Sequence, residues 1–148
     1  MTLETFVAGV ILALIFTEWT GFSPGGIVVP GYVALHLDQP GRILATLAVA
    51  LVCLGLYRLA AGFLILFGRR RFVFLLLAGM VLAQVWSLIA PEVWAGQSAE
   101  LRVIGWVIPG LLANSLERQK IAPTLSALAV VAVMAHILIK TVVILAGR

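Results

Sequence analysis

The sequence predicts an all-α integral membrane protein built from two tandem copies of helix, short Pro-Gly segment and long helix, with four to six transmembrane segments. Composition gives the solvent: 63% of the 148 residues are hydrophobic, 11% are charged, and the mean hydropathy is +1.17. That balance belongs to a chain dissolved in lipid, not to a water-soluble core. The second observation is length: a bilayer takes roughly 20 apolar helical residues to cross. Residues 6–16 with their flanks, 43–67, 72–90 and 124–146 come close to or exceed that length. The third is a self-match. Shifted by 79 residues, Gly26, Val28, Pro30, Gly31, Ala34 and Leu37 fall on Gly105, Val107, Pro109, Gly110, Ala113 and Leu116.

In hydrocarbon every backbone group needs a partner within its own segment, and these runs lack the alternation of barrel strands, so they are helices. The N-terminal MTLETF has no basic residue ahead of its apolar run and no small-residue cleavage pattern after it. It reads as a retained first helix. The single cysteine, Cys53, lies in an apolar run, which excludes an intramolecular disulfide and a cysteine metal cluster. Ten basic residues scattered among apolar helices form no phosphate-tracking stripe, so the net charge of +4 is not a nucleic-acid signature. It is topology information.

The same register lays Asp38 on Glu117 and carries on, ungapped, to place Ile65, Leu66, Gly68 and Arg69 on Ile144, Leu145, Gly147 and Arg148. The chain therefore reads as one membrane domain, residues 1–148, made of repeat 1 (1–69) and repeat 2 (70–148). Repeat 2 carries the longer loop, PEVWAGQSAE. The short segments, 22–37 and 101–116, fall below spanning length, and each has a proline near its middle. Proline removes a backbone donor and the glycine after it tolerates unusual torsions, so a break is expected at Pro30-Gly31 and at Pro109-Gly110. Two kinks that serve packing are one reading. Paired interrupted segments that mark a substrate site are the other.

Arg69, Arg70 and Arg71 form the one dense basic loop and belong in the cytoplasm. If the short segments dip and return there are four spans and the copies run parallel; if they cross there are six and the copies are inverted. Charge favours crossing and length favours dipping. Glu18 stands at the end of the first helix and Arg58 about halfway along the second long run, making them candidate partners for an ion pair inside the bundle. Asn114, Glu117, Arg118 and Gln119 are the densest polar cluster beside the second Pro-Gly segment, either a site or a solvated helix end. His136 and Lys140 share a helix face, which admits a proton relay or a snorkelling lysine. There is no GxxxxGK[ST], HExxH, nucleophile elbow or dinucleotide turn, so the chain is not expected to be an enzyme by itself.

The runs IFTEWTGFSPGGIVVPGYVALHLDQP, ILFGRRRF and GWVIPGLLANSLERQ closely resemble the family called PgsC or CapC, the membrane subunit of bacterial poly-γ-glutamate (capsule) biosynthesis. The resemblance extends over nearly the whole chain, in order and spacing. It departs at Ile108, where the family has valine, and in an alanine-rich last helix that sets His136 and Lys140 apart from the family pattern. It implies a multi-pass protein of the bacterial cytoplasmic membrane, working with a Mur-like ligase that carries ATP and Mg²⁺, and with a surface-facing export subunit. No cofactor is expected on this chain. The implied cargo is anionic polyglutamate, with Glu18, Pro30, Gly31, Arg58, Pro109, Gly110, Asn114, Glu117, Arg118 and Gln119 as the proposed path or docking residues. Arg69, Arg70 and Arg71 are the expected ligase-facing loop. An autonomous small transporter with inverted repeats and a purely structural membrane scaffold are the alternatives.

Overall fold

A computed structural model describes residues 2–93 and 106–146, all helix, turn or coil with no strand among them. The helices are α1 (Thr2–Thr20), α2 (Val28–Leu35), α3 (Pro40–Ala61), α4 (Arg69–Val93), α5 (Ile108–Gln119) and α6 (Ile121–Leu145). Among the described residues, four helices are long and apolar enough to cross a bilayer: Leu3–Thr20, Pro40–Ala61, Arg69–Ile89 and Ile121–Leu145. Their outer sides carry exposed Leu44, Val52, Val81, Ile137 and Ile144. Lipid accepts such surface at no cost and water does not. Helices α2 and α5, of 8 and 12 residues, reach only about 12 and 18 Å at 1.5 Å per residue, short of the roughly 30 Å hydrocarbon layer.

The Pro-Gly pairs do not break these helices midway, as the sequence suggested. Pro30 is the third residue of α2 and Pro109 the second of α5. First-turn amides have no intrahelical acceptor, so a proline there costs no hydrogen bond and starts the helix. Pro40 opens α3 in the same way. Nor are the three arginines a loop: Gly68, with φ +59°, turns the chain, and Arg69, Arg70 and Arg71 form the first turn of α4. The long loop 91–100, residues 101–105 at the start of the second short segment, and Gly147-Arg148 fall wholly or partly outside the described residues.

The chain packs as two compact units, residues 1–38 with 119–148, and residues 39–118. In the first, α1 packs on α2, and both pack on α6. Its core holds Ala13, Val29, Val33, Ala34, Leu128, Val131 and Ala135. In the second, α3 packs on α4, and buried Cys53, Leu54, Leu75, Leu112 and Leu116 form the core. Each unit therefore combines the first two helices of one sequence copy with the last helix of the other.

The same close crossing holds each short helix. A Cβ placed on Gly9 of α1 would stand 2.6 Å from the Gly31 Cα, and one on Gly79 of α4 would stand 2.5 Å from the Gly110 N. From the other side, a Cβ on Gly31 would meet Phe6, and one on Gly110 would come within 2.6 Å of the Leu75 carbonyl oxygen. Only glycine on both helices permits the backbones to approach this far. Phe6 closes the first crossing by an edge-on contact with Tyr32, ring centroids 5.1 Å apart.

Gly9→Ala and Gly79→Ala are expected to lower stability by about 1–3 kcal/mol each through overpacking. Gly55→Ala in α3, where an added Cβ meets open space, is expected to raise it by up to about 1 kcal/mol through helix propensity. Unfolding in mixed detergent micelles measures both signs.

Candidate functional site

Each unit places an acidic residue from the end of a short helix against a base on a long one. In the second unit the Arg58 Nε of α3 donates to the Glu117 Oε2 of α5 at 3.2 Å. In the first, Asp38, just beyond α2, lies near two bases of α6: its Oδ1 is 3.8 Å from His136 Nε2 and 3.9 Å from Lys140 Nζ. The long helices show why these positions correspond. Thr46, Val49, Ala50, Cys53, Leu54 and Tyr57 form the buried stripe of α3. In α6 the same spacing recurs at Thr124, Ala127, Leu128, Val131, Ala132 and Ala135. Arg58 follows the last of the first set, and His136 follows the last of the second. This places each base at the edge of its buried stripe, where its head group clears the helix packing.

Arg58, expected against Glu18, is held by Glu117 within its own unit. Glu117 is half-buried and Arg58 exposed. The carboxylate on the short helix already holds the guanidinium, whereas Glu18 lies exposed at the end of α1. Arg118, next to Glu117, points outward, while Asn114 and Gln119 are half-buried. The Gln119 Oε1 accepts from the Ser23 N–H at 2.9 Å. Ser23 Oγ in turn accepts from the Gly26 N–H at 2.9 Å. The GFSPGG turn is thereby tied down by a side chain ninety-six residues away. Lys120, with φ 74°, separates α5 from α6.

Pro30, Gly31, Pro109 and Gly110 are buried in helix crossings. Arg69 and Arg70 are exposed; Arg71 is half-buried, and its Nε is buried without a hydrogen-bond partner. Three cations in the first turn of α4 oppose the helix dipole, which favours anions there. Sequence reasoning noted the Asp38–Glu117 match and the His136–Lys140 face but did not join them. The join crosses from one copy to the other, and no local spacing encodes it. Among the described residues no group of three or more His, Cys, Asp or Glu side chains is placed to hold a metal ion.

The family described as Capsule biosynthesis CapC matches residues 8–125. This chain belongs to the CapC family. It is 41% identical over 119 residues to the PGA biosynthesis protein CapC of Bacillus subtilis (strain 168), covering 80% of this chain and 79% of that protein. Against the capsule biosynthesis protein CapC of Bacillus anthracis the identity is 40% over 120 residues, with 80% of each chain covered. No solved structure matches. The CapC match takes in α2, α5 and both glycine crossings, and it ends before His136 and Lys140.

A charge swap tests the pairing in the second unit. Arg58→Glu and Glu117→Arg are each expected to destabilise the fold, and the double exchange to recover most of the loss. The coupling energy is expected to be about 0.5–1 kcal/mol, because Arg58 is 61% exposed. A double-mutant cycle in detergent reads it directly.

Proposed function

We propose that this capsule-biosynthesis protein is the integral membrane subunit of a poly-γ-glutamate synthase and export complex in the bacterial cytoplasmic membrane. It anchors an ATP- and Mg²⁺-dependent Mur-like amide ligase, acts with a surface-facing subunit, and assists the passage of the polymer. The observation that carries this reading is the 41% identity to the PGA biosynthesis protein CapC of Bacillus subtilis across four-fifths of both chains. Four apolar helices long enough to span support the membrane role.

The chemistry of the cargo supports the division of labour. A polyanion leaving through lipid needs countercharge and donors along its way, because bare carboxylates are strongly disfavoured there. The exposed or half-buried polar groups at the short-helix ends, Asn114, Glu117, Arg118 and Gln119, with Arg58 beside them, are the surfaces that serve such a path. Gly31 and Gly110 act one step back, seating the short helices against the long ones. Glu18 lies exposed at the end of α1, near the head-group layer. Arg69 and Arg70 present charge outward against the preference of their own helix end, as a cytoplasmic docking surface for an acidic partner face does.

Deleting the gene in a polymer-producing host is expected to abolish exported polymer, and the wild-type chain to restore it. Arg69→Gln/Arg70→Gln is expected to reduce co-purification of the ligase by about tenfold, as the loss of interfacial charge contacts does, while the variant still inserts. Pro30→Ala and Pro109→Ala are expected to leave export near normal, since both prolines stand in first turns. Full export from the deletion strain would overturn the reading. Undiminished ligase recovery would overturn the docking surface alone.

A further inference from the structure

Beside the ion pairs, the first unit contains a cavity of about 170 Å³ lined by Thr5, Ala34, Leu35, Asp38, His136, Ile139 and Lys140. Its floor is apolar, with Ala34 1% and Ile139 9% exposed. Two of its walls are bases and one is an acid. The charge bookkeeping differs from that of the second unit, where one base meets one acid at hydrogen-bond distance. Here Asp38 Oδ1 stands 3.8 and 3.9 Å from the two bases. A charge-assisted N–H···O bond is about 2.7–2.9 Å long, so Asp38 attracts both bases without saturating their donors. The lysine charge alone balances Asp38, and the imidazole brings a further nitrogen to the same space.

Position adds to this. At 1.5 Å per residue, His136 lies roughly 5 Å past the midpoint of α6, well inside a hydrocarbon layer about 30 Å thick. Ionisable groups at such depth face a wet cavity or a ligand. The cavity is reachable, because the Asp38 and Lys140 side chains are 75% and 59% exposed.

We infer that this cavity is a carboxylate-binding site, taking one carboxylate of a γ-linked glutamyl chain between Lys140 and His136, with Asp38 as the competing internal anion. The incoming carboxylate displaces Asp38 from the bases and accepts from the Lys140 ammonium and the imidazole. Asp38, largely exposed, turns into the wet mouth of the cavity. A site whose own carboxylate competes releases each ligand group easily, as a station on a path must. The choice of ligand rests on the polyglutamate reading above. The geometry itself calls only for a carboxylate. His136 and Lys140 lie beyond the residues that the family match covers.

The test uses the full-length chain in phosphatidylcholine nanodiscs, titrated calorimetrically with a short γ-linked oligoglutamate. Lys140→Gln is expected to weaken binding by about tenfold, the worth of one charged hydrogen bond. His136→Gln is expected to weaken it severalfold, and Asp38→Asn to tighten it. The opposite sign for Asp38→Asn is what a merely structural role does not give, because breaking a structural pair from either side would weaken binding. Equal affinity in wild type and Lys140→Gln, or weakening by Asp38→Asn, overturns the site. A second set of nanodiscs containing phosphatidylglycerol separates lipid from polymer. Lipid retention lost in Lys140→Gln with oligoglutamate affinity unchanged would assign the bases to a head group and overturn the proposal. Failure of the wild-type chain to bind oligoglutamate, with polymer still lost on gene deletion, would also overturn the site and leave the subunit reading standing.

Discussion

Two helices can cross at backbone contact only if neither carries a side chain at the crossing, and this chain meets that condition twice. Gly9 lies on Gly31 and Gly79 on Gly110, each with no room for a Cβ. In lipid there is no hydrophobic gain from bringing helices together, so association depends on dispersion at close range. The two short helices are too brief to be stable alone. They hold because a long helix presents glycine to receive them. The positions of α2 and α5, and of every polar group at their ends, follow from those crossings.

Fixing the short helices fixes their acidic ends. Asp38 and Glu117 sit at matching places and each meets a base on a long helix of the other sequence copy. The pairs are not equal. Arg58–Glu117 is a one-to-one hydrogen-bonded pair, whereas Asp38 faces two bases at longer range. The junctions between acid and long helix differ by one residue, eight from Asp38 to Thr46 and seven from Glu117 to Thr124. A shift of one residue turns a helix by about 100°, enough to give the two junctions different reach. Within a duplicated plan, the first unit sets two bases against one acid and the second sets one against one.

Much of this was legible in the sequence. Apolar length set the long helices, the 79-residue register marked both Pro-Gly segments, and the FTEWTG, VVPGY and IPGLLAN strings carried the family. Four features were not. Proline was expected to break a helix because its place in the turn depends on where the helix begins, and no cap residue precedes Val28 or Ile108 to mark it. Arg69–Arg71 read as a loop because cations at a helix start oppose the dipole. The partner of Arg58 was not legible because charge and depth narrow the candidates without choosing one. That choice is made by packing between copies, which exchanges the last helices and leaves no local signal. Gly9 and Gly79 escaped for a related reason: the longer loop of the second copy shifts them to a 70-residue spacing, outside the register that aligns the Pro-Gly segments.

The structure turns on the acidic end of each short helix meeting a base on a long helix of the other copy. Paired cysteine substitutions in a Cys53→Ser background test it, using Asp38→Cys with Lys140→Cys and Arg58→Cys with Glu117→Cys, treated with a short bifunctional thiol reagent in native membranes. Rapid intramolecular cross-linking of both pairs is the result the account predicts. Folded, inserted protein that cross-links neither pair would contradict it.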